Sequence, residues 1–146
     1  MDQIRPWLFI GGIRDTLNLS YLSYKSIRAM LQLAAKVDQP GISSLYLPVE
    51  DFEPLKFDLL AKGISFVREQ KRAGCHILVA CGAGINRSSS YCTAVLKEEE
   101  DLSLFEAFKE VKKKRPEAMP HEPVWESLCE YYKEDVPYLD VMRVKT

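Results

Sequence analysis

The chain lacks any long hydrophobic run, and none of its stretches approaches the roughly 18 apolar residues that a membrane-spanning helix needs. It also lacks excess charge of either sign, because 20 basic and 21 acidic side chains leave a net charge of −1. No overall field therefore attracts nucleic acid or a membrane surface. The N-terminus carries an acid at position 2 and does not resemble a signal peptide. These absences predict a soluble, cytoplasmic protein with no membrane partner, for which nucleic acid is not the expected ligand.

Histidine is scarce, and the cysteines lack the spacing of a metal site. The chain has two histidines, His76 and His121, and no C-x-x-C pair among its cysteines, Cys75, Cys81, Cys92 and Cys129. This pattern disfavours zinc, and we expect no cofactor and no bound metal. In a reducing compartment the four cysteines are expected to be free thiols.

What is present is an ordinary globular composition, with 47% hydrophobic and 28% charged residues over 146 positions. This length predicts one domain over residues 1–146. Runs rich in β-formers predict strands at 6–12, 27–34, 42–49 and 75–80. Helical spacing predicts helices at 15–26 (with Asp15 as the N-cap), 55–74, 88–100 and 122–133, and another that starts near Leu104 and ends at the Arg115-Pro116 pair. We expect the final dozen residues to be extended or frayed.

These elements predict a single-domain α/β fold with a central, mostly parallel sheet of about four to five strands flanked by helices. The run at 75–80 is short and apolar, as expected of a strand covered on both faces. It leads through a glycine-rich loop into a helix. This strand–loop–helix junction is where we expect the chemistry.

The junction has the sequence VACGAGINRSSSYC at residues 79–92. A loop between a buried strand and a helix N-terminus aims backbone amides and the helix dipole at one small space, which favours an anion. Gly82 and Gly84 tolerate positive φ, Ala83 adds little bulk, and Asn86 accepts left-handed geometry. The small residues are therefore expected where a loop wraps an oxyanion with its own amides.

The two ends of this loop are reactive. The amides and dipole would favour the thiolate of Cys81, and the planar fork of Arg87 matches two oxygens of a phosphate. The pattern predicts attack of sulfur on phosphorus. No Gly-Lys-Ser/Thr follows, so it is not a nucleotide-binding P-loop. The alternative is a buried cysteine beside a simple turn.

The segment CGAGINRS resembles the C-x-x-G-x-x-R-S/T signature of the cysteine-dependent protein tyrosine phosphatases. The surrounding chain resembles the compact dual-specificity branch of that superfamily. Its opening strand is similar to PWLFIGG, its general-acid loop and following helix are similar to residues 47–67, and its late helix, Arg-Pro turn and last helix are similar to residues 108–128. The likeness covers nearly the whole chain in the right order.

The resemblance implies a role for each site residue. Cys81 would be the nucleophile, Arg87 the phosphate clamp, and Ser88 a donor that helps the sulfur leave. Asp51 falls at the place of the family's general acid, although Glu50 and Glu53 lie nearby. The phosphate would be bound by the amides of the loop and its arginine: Gly82, Ala83, Gly84, Ile85, Asn86 and Arg87.

The sequence departs from the family at Ala80, where a histidine usually precedes the cysteine. We therefore expect the thiolate to be less favoured and the rate to climb further with pH. The loop interior has no lysine or histidine, which argues against highly phosphorylated inositol lipids. A phosphorylated protein or peptide is the expected partner, with phosphotyrosine, phosphoserine and phosphothreonine all open.

Three alternatives remain open from the sequence. A catalytically weak, phosphate-binding pseudophosphatase would use the same loop. An RNA 5′-phosphatase of the same fold could use the basic run at 112–115, although a solvated helix end explains that run better. A sulfur-transfer or arsenate-reducing enzyme could use Cys75 or Cys92 as a resolving thiol, although buried small residues explain both more simply.

Overall fold

The computed structural model describes all of residues 1–146 and contains one five-stranded sheet in the order β1-β2-β5-β3-β4. Strand β5 occupies the centre and pairs in parallel with β2 on one side and with β3 on the other. Only β1, at one edge, runs antiparallel to its neighbour. The strands are Asp2–Arg5 (β1), Leu8–Gly12 (β2), Ile27–Gln32 (β3), Ser43–Tyr46 (β4) and His76–Cys81 (β5). The predicted α/β fold with a mostly parallel sheet is confirmed.

Seven helices accompany the sheet. They are Ile13–Thr16 (α1), Leu19–Tyr24 (α2), Phe57–Arg72 (α3), Arg87–Glu100 (α4), Leu104–Lys114 (α5), Glu122–Tyr132 (α6) and Tyr138–Met142 (α7). The larger core lies between one face of the sheet and helices α3 to α6. A smaller core on the opposite face lies under α2. None of these helices is long and apolar enough to cross a bilayer.

Three local predictions are wrong. Strand β1 was not predicted, and α7 lies where the final residues were expected to be extended or frayed. Asp15 does not cap the helix that follows. Instead, Asn18 accepts a hydrogen bond from the Tyr21 amide and caps α2, while Asp15 accepts one from the Gly12 amide within the short helix α1.

Side chains of β5 alternate between the two cores, as the pleat of a strand requires. Cys81 belongs to the larger core beneath α4, whereas Ala80 belongs to the smaller core beneath α2. Ala80, the residue before the predicted nucleophile, therefore faces away from the side on which α4 begins. A bulky ring at 80 would have to displace neighbours in a packed apolar cluster.

The N-terminal two thirds of helix α4 is buried on every side, with residues 88–96 all inaccessible to solvent. A helix surrounded by protein on all faces holds a fixed position relative to the sheet. Its N-terminus therefore lies at the carboxyl end of β5, where parallel α/β folds place their ligands.

Candidate active site

The loop at 82–86 turns its carbonyl groups outward, where each accepts a hydrogen bond from the surrounding protein. The carbonyl of Gly82 accepts from the Ile13 amide (3.1 Å), and that of Ile85 accepts from the Met119 amide (2.9 Å). The carbonyls of Ala83 and Gly84 accept from the guanidinium of Arg115, at 3.1 and 2.7 Å.

This outward orientation fixes the direction of the amides. All peptide bonds in the chain are trans, and in a trans peptide the N–H points opposite to the carbonyl of the same unit. The amides of residues 83–86 therefore point toward the concave side of the loop. No backbone acceptor of the chain is hydrogen-bonded to the amides of residues 82–86. The loop is thus a set of converging donors built to hold an anion.

The glycines serve this geometry in different ways. Gly84 adopts a φ of +73°, and a Cβ there would lie 2.6 Å from Nη2 of Arg115. Gly82 is outside the positive-φ region, so the tolerance of positive φ that both glycines offer is used at 84 and not at 82. Asn86 is right-handed, with φ of −96°, so its tolerance of left-handed geometry is not used here. Gly12 lets the loop lie close to β2, since a Cβ at Gly12 would be 2.5 Å from the carbonyl oxygen of Gly82.

Cys81 lies at the base of this loop and is almost fully buried. Its Sγ is 3.1 Å from Oγ of Ser88, in the first turn of α4. The sulfur therefore lies at the N-terminal end of α4, the end of a helix that favours negative charge. The hydroxyl of Ser88 can donate a hydrogen bond to the Cys81 thiolate.

Arg87 is held by the backbone of the neighbouring loops. Its Nη1 donates to the carbonyls of Val49 (2.9 Å) and Leu33 (3.4 Å). Its Nε is buried and has no hydrogen-bond partner, and it lies 3.7 Å from Oδ1 of Asp51. The guanidinium is therefore oriented before any ligand arrives and keeps donor capacity for an oxyanion.

Asp51 reaches the site from the loop between β4 and α3. Its Oδ1 accepts a hydrogen bond of 2.6 Å from Nδ2 of Asn86, the residue before Arg87. Asp51, Cys81 and Arg87 line one cavity of about 210 Å³. The remaining lining residues are Phe52, Ala83, Ile85, Asn86 and His121. The structure therefore brings together the predicted nucleophile, clamp and acid.

Sequence reasoning missed three contributors to the site. Arg115 was assigned to a basic run at a helix end, but it is 9% exposed and bonded to the loop carbonyls. His121 was considered only as a zinc ligand, and Phe52 was not singled out. Arg115 and His121 are remote from 81–88 in the chain, so no spacing could reveal them. The position of Phe52 directly after Asp51 was the one available signal.

The remaining cysteines stay apart from this chemistry. All four are unbridged. Burial, together with the nearby Cys81, raises the pKa of the Cys92 thiol well above its ordinary range, so this thiol stays protonated and unreactive near neutral pH. A resolving role for Cys92 is therefore disfavoured.

A mostly parallel sheet with a cysteine at the end of its central strand, an amide-lined loop and an arginine at the next helix is the arrangement expected of the cysteine-dependent protein tyrosine phosphatase superfamily. The sequence model of the family described as "dual specificity phosphatase, catalytic domain" matches residues 8–134 of this chain. The chain therefore belongs to the dual specificity phosphatase family.

Curated relatives and solved structures agree with this assignment. Human dual specificity protein phosphatase 16 is 32% identical over 90% of this chain and 20% of its own length. Mouse dual specificity protein phosphatase 2 is 31% identical over 82% of this chain and 39% of its own length. The chain thus spans between a fifth and two fifths of the length of these two relatives.

Two crystal structures resemble the fold closely. Human DUSP28 has a TM-score of 0.82 and 31% identity, covering 91% of this chain and 96% of its own. A mouse dual specificity phosphatase complexed with zinc tungstate has a TM-score of 0.83 and 31% identity, covering 90% of this chain and 86% of its own.

Proposed function

We propose that the chain is a metal-independent phosphomonoester hydrolase of the dual-specificity type that acts through a cysteinyl-phosphate intermediate. One observation carries the proposal: outward carbonyls leave the loop amides converging beside both Cys81 and Arg87. These groups supply the positive potential that a transferring phosphoryl group needs. We propose residues 1–146 as one catalytic domain.

In the first step the Cys81 thiolate attacks phosphorus while the bond from phosphorus to the leaving oxygen breaks. The loop amides and Arg87 hold the three equatorial oxygens. Protonated Asp51 gives its proton to the leaving oxygen, which departs as a phenol or an alcohol. The products of this step are phosphocysteine and the dephosphorylated substrate.

In the second step Asp51, now a carboxylate, takes a proton from water as the water oxygen attacks phosphorus. The S–P bond breaks and the sulfur leaves as a thiolate, which is stabilised by a hydrogen bond from Ser88, 3.1 Å away. Inorganic phosphate is released and Asp51 is again protonated. The cycle consumes one water per phosphomonoester.

We propose a phosphorylated protein or peptide as the substrate, through phosphotyrosine and also phosphoserine or phosphothreonine. The lining of the cavity contains two groups able to carry positive charge, Arg87 and His121, which suits a single phosphate. The tungstate bound by the mouse relative is a tetrahedral oxyanion of the kind that this loop would hold.

The alternatives drawn from the sequence gain no support. The basic run at 112–115 is not a continuous surface patch, because Arg115 is buried and Lys112 donates to the Ala118 carbonyl. Nucleic-acid binding through this run is therefore disfavoured. The family assignment likewise does not favour a sulfur-transfer enzyme.

The experiment compares wild type with Cys81→Ser on an aryl phosphate in the presence of a chelator. We expect wild type to turn over, and Cys81→Ser to be inactive while still binding tungstate, because the amides and Arg87 remain. Cys75→Ser is the matched control, since Cys75 precedes β5 at the end opposite Cys81. Turnover by Cys81→Ser would refute the mechanism, and tungstate binding without wild-type turnover would instead support the binding module.

A further inference from the structure

His121 lies against Asp51 at the wall of the cavity. Its Nδ1 is 3.8 Å from Oδ1 of Asp51, within ion-pair range when the imidazole is protonated. The same Nδ1 is buried and has no hydrogen-bond partner in the chain. A buried ring nitrogen that is unpaired and close to a carboxylate calls for a functional explanation.

The backbone around His121 is fixed to the phosphate-binding loop. The His121 amide donates to Oδ1 of Asn86 at 2.7 Å, and the Met119 amide donates to the Ile85 carbonyl. The hydroxyl of Tyr138 donates to the Pro120 carbonyl at 2.7 Å. The imidazole is therefore carried by a segment that is hydrogen-bonded directly to the loop.

Asn86 connects this segment to Asp51. It is 4% exposed, its Oδ1 accepts from the His121 amide, and its Nδ2 donates to Oδ1 of Asp51. A buried amide with both ends bonded has one orientation, which rigidifies its neighbours. These contacts therefore join Asp51, Asn86 and His121 in one cluster.

Phe52 attaches the acid loop to the same ring. Its side chain stacks on the imidazole of His121, with ring centroids 4.2 Å apart and an angle of 15° between the planes. Its backbone has a φ of +63°, which is uncommon for a residue other than glycine. The turn at Phe52 therefore places both the Asp51 carboxylate and the Phe52 ring beside His121.

Every close nitrogen approaches the same carboxylate oxygen. Oδ1 of Asp51 is the carboxylate oxygen nearest to three nitrogens: Asn86 Nδ2 (2.6 Å), Arg87 Nε (3.7 Å) and His121 Nδ1 (3.8 Å). Since Oδ1 accepts the Asn86 hydrogen bond and faces the other two nitrogens at ion-pair distance, an added proton on this carboxylate is carried by the other oxygen. That oxygen, Oδ2, then has to face the leaving group.

We propose that His121 is a positioning residue for the general acid: its Nδ1 helps to hold Oδ1 of Asp51, so that Oδ2 delivers the proton to the leaving oxygen. This inference rests on the proposed phosphatase function. It assigns His121 no contact with the reacting atoms. Its effect should therefore appear only in steps where Asp51 transfers a proton.

The test uses aryl phosphates whose phenols differ in acidity. A strongly acidic phenol leaves without a proton, whereas a weakly acidic one depends on the general acid. His121→Phe keeps an aromatic ring to stack on Phe52 and removes the nitrogen, while His121→Asn removes the ring and keeps a short side-chain donor. We expect His121→Phe to lose roughly 10-fold or more in kcat/KM on phenyl phosphate, a part of the full effect of a general acid, and little on nitrophenyl phosphate.

We expect His121→Asn to retain most of the phenyl phosphate activity. In an Asp51→Asn background, changing His121 to Phe should cost nothing further, because the two residues act as one unit. His121→Ala is assayed as well, with folding of each variant checked by thermal melting, so that a variant that does not fold cannot decide the question.

The outcomes separate the two proposals. An equal loss on all aryl phosphates, or an additive loss in the Asp51→Asn background, would overturn the role of His121 and leave the phosphatase function intact. Loss in His121→Asn with retention in His121→Phe would assign the effect to stacking and also overturn it. Absence of wild-type activity on every aryl phosphate would instead refute the proposed function itself.

Discussion

Arg115 shows how one buried side chain can set the direction of a whole loop. Its guanidinium donates to the carbonyls of Ala83 and Gly84 and to the carboxylate of Asp2. Three partners in fixed directions require a planar fork, which lysine does not have. The carbonyls held by Arg115 are the reason that the following amides face the cavity.

We expect Arg115→Lys to weaken tungstate binding and lower kcat/KM, because an ammonium group cannot bond both carbonyls and Asp2 together. Loss of bonds to buried carbonyls should also lower the free energy of unfolding by about 1–3 kcal/mol. Titration with tungstate and denaturant unfolding measure the two effects. Lys114→Met is the control, since it removes an exposed cation one residue away. Equal tungstate affinity in Arg115→Lys and wild type would contradict this account of the loop.

Asp51 is the one candidate acid that the structure places in the cavity. We expect Asp51→Asn to slow turnover of phenyl phosphate by about 10²–10⁴-fold, since an amide cannot supply the proton. Glu53→Gln and Glu50→Gln are matched controls, because both residues are exposed on the same loop. Steady-state kinetics distinguish them, and a larger loss in either glutamate variant would move the acid role to that residue.

At the scale of secondary-structure elements, helices α3 and α4 pack closely against each other. A glycine at their contact makes this close packing possible. A Cβ on Gly63 of α3 would lie 2.4 Å from the ring of Tyr91 in α4. Tyr91 is fully buried, and burial raises the pKa of its hydroxyl well above the ordinary range. Since α4 carries Arg87 and Ser88, the contact between these helices helps to fix the site.

We expect Gly63→Ala to destabilise the protein by about 1–3 kcal/mol, the usual effect of overpacking a core. In an exposed helix the same change would stabilise the protein by up to about 1 kcal/mol. The sign of the change in unfolding free energy therefore distinguishes overpacking at Tyr91 from the ordinary effect of replacing a helical glycine. Ser65→Ala on the exposed face of α3 is the control and should be neutral or slightly stabilising. Denaturant unfolding gives both values, and a stabilised Gly63→Ala would show that Tyr91 can move aside.

Helix α4 also explains the serine run that follows Arg87. The hydroxyl of Ser89 donates to the Ile85 carbonyl (2.6 Å) and that of Ser90 to the Asn86 carbonyl (2.8 Å). These bonds satisfy buried hydroxyls and loop carbonyls together. Small polar residues are therefore suited to a helix that begins inside the protein.

At the scale of the whole molecule, an ion-pair cluster joins the edge of the sheet to the far ends of the helices. Arg5 of β1 donates to both oxygens of Glu100, at 2.7 and 2.8 Å, and to Glu110 at 2.9 Å. The hydrogen bonds from Arg5 hold the pKa of Glu100 below its ordinary value. The pairing links β1 with α4 and α5.

We expect Glu100→Gln to lower the free energy of unfolding at pH 7 by about 0.5–1 kcal/mol, the scale of a partly exposed ion pair. Because the folded pKa is lowered, this stabilisation is present above the pKa of Glu100 in the unfolded chain and disappears as the pH falls through the folded value. Denaturant unfolding of wild type and variant at pH 7 and at acid pH checks this. Glu117→Gln, an exposed carboxylate with no ion pair, is the control. A pH-independent difference would contradict the ion-pair explanation.

The structural features that depend on local sequence pattern could be predicted from the sequence. The apolar run before Cys81, the glycines after it and the helical spacing around Phe108 each lie within a few residues of what they determine. Strand β1 and helix α7 were missed because both are short and are stabilised by distant partners. The roles of Arg115 and His121 were missed for the same reason, since each contacts the loop from more than 30 positions away.

The hydrogen bond between Arg115 and Asp2 makes the outermost strand a support of the oxyanion pocket. Sheet margins open more readily than interior strands. Fraying at this margin would release one anchor of the guanidinium while the interior stays packed. Loss of turnover should then precede loss of circular dichroism in dilute urea, so inactivation would report this local opening before global denaturation.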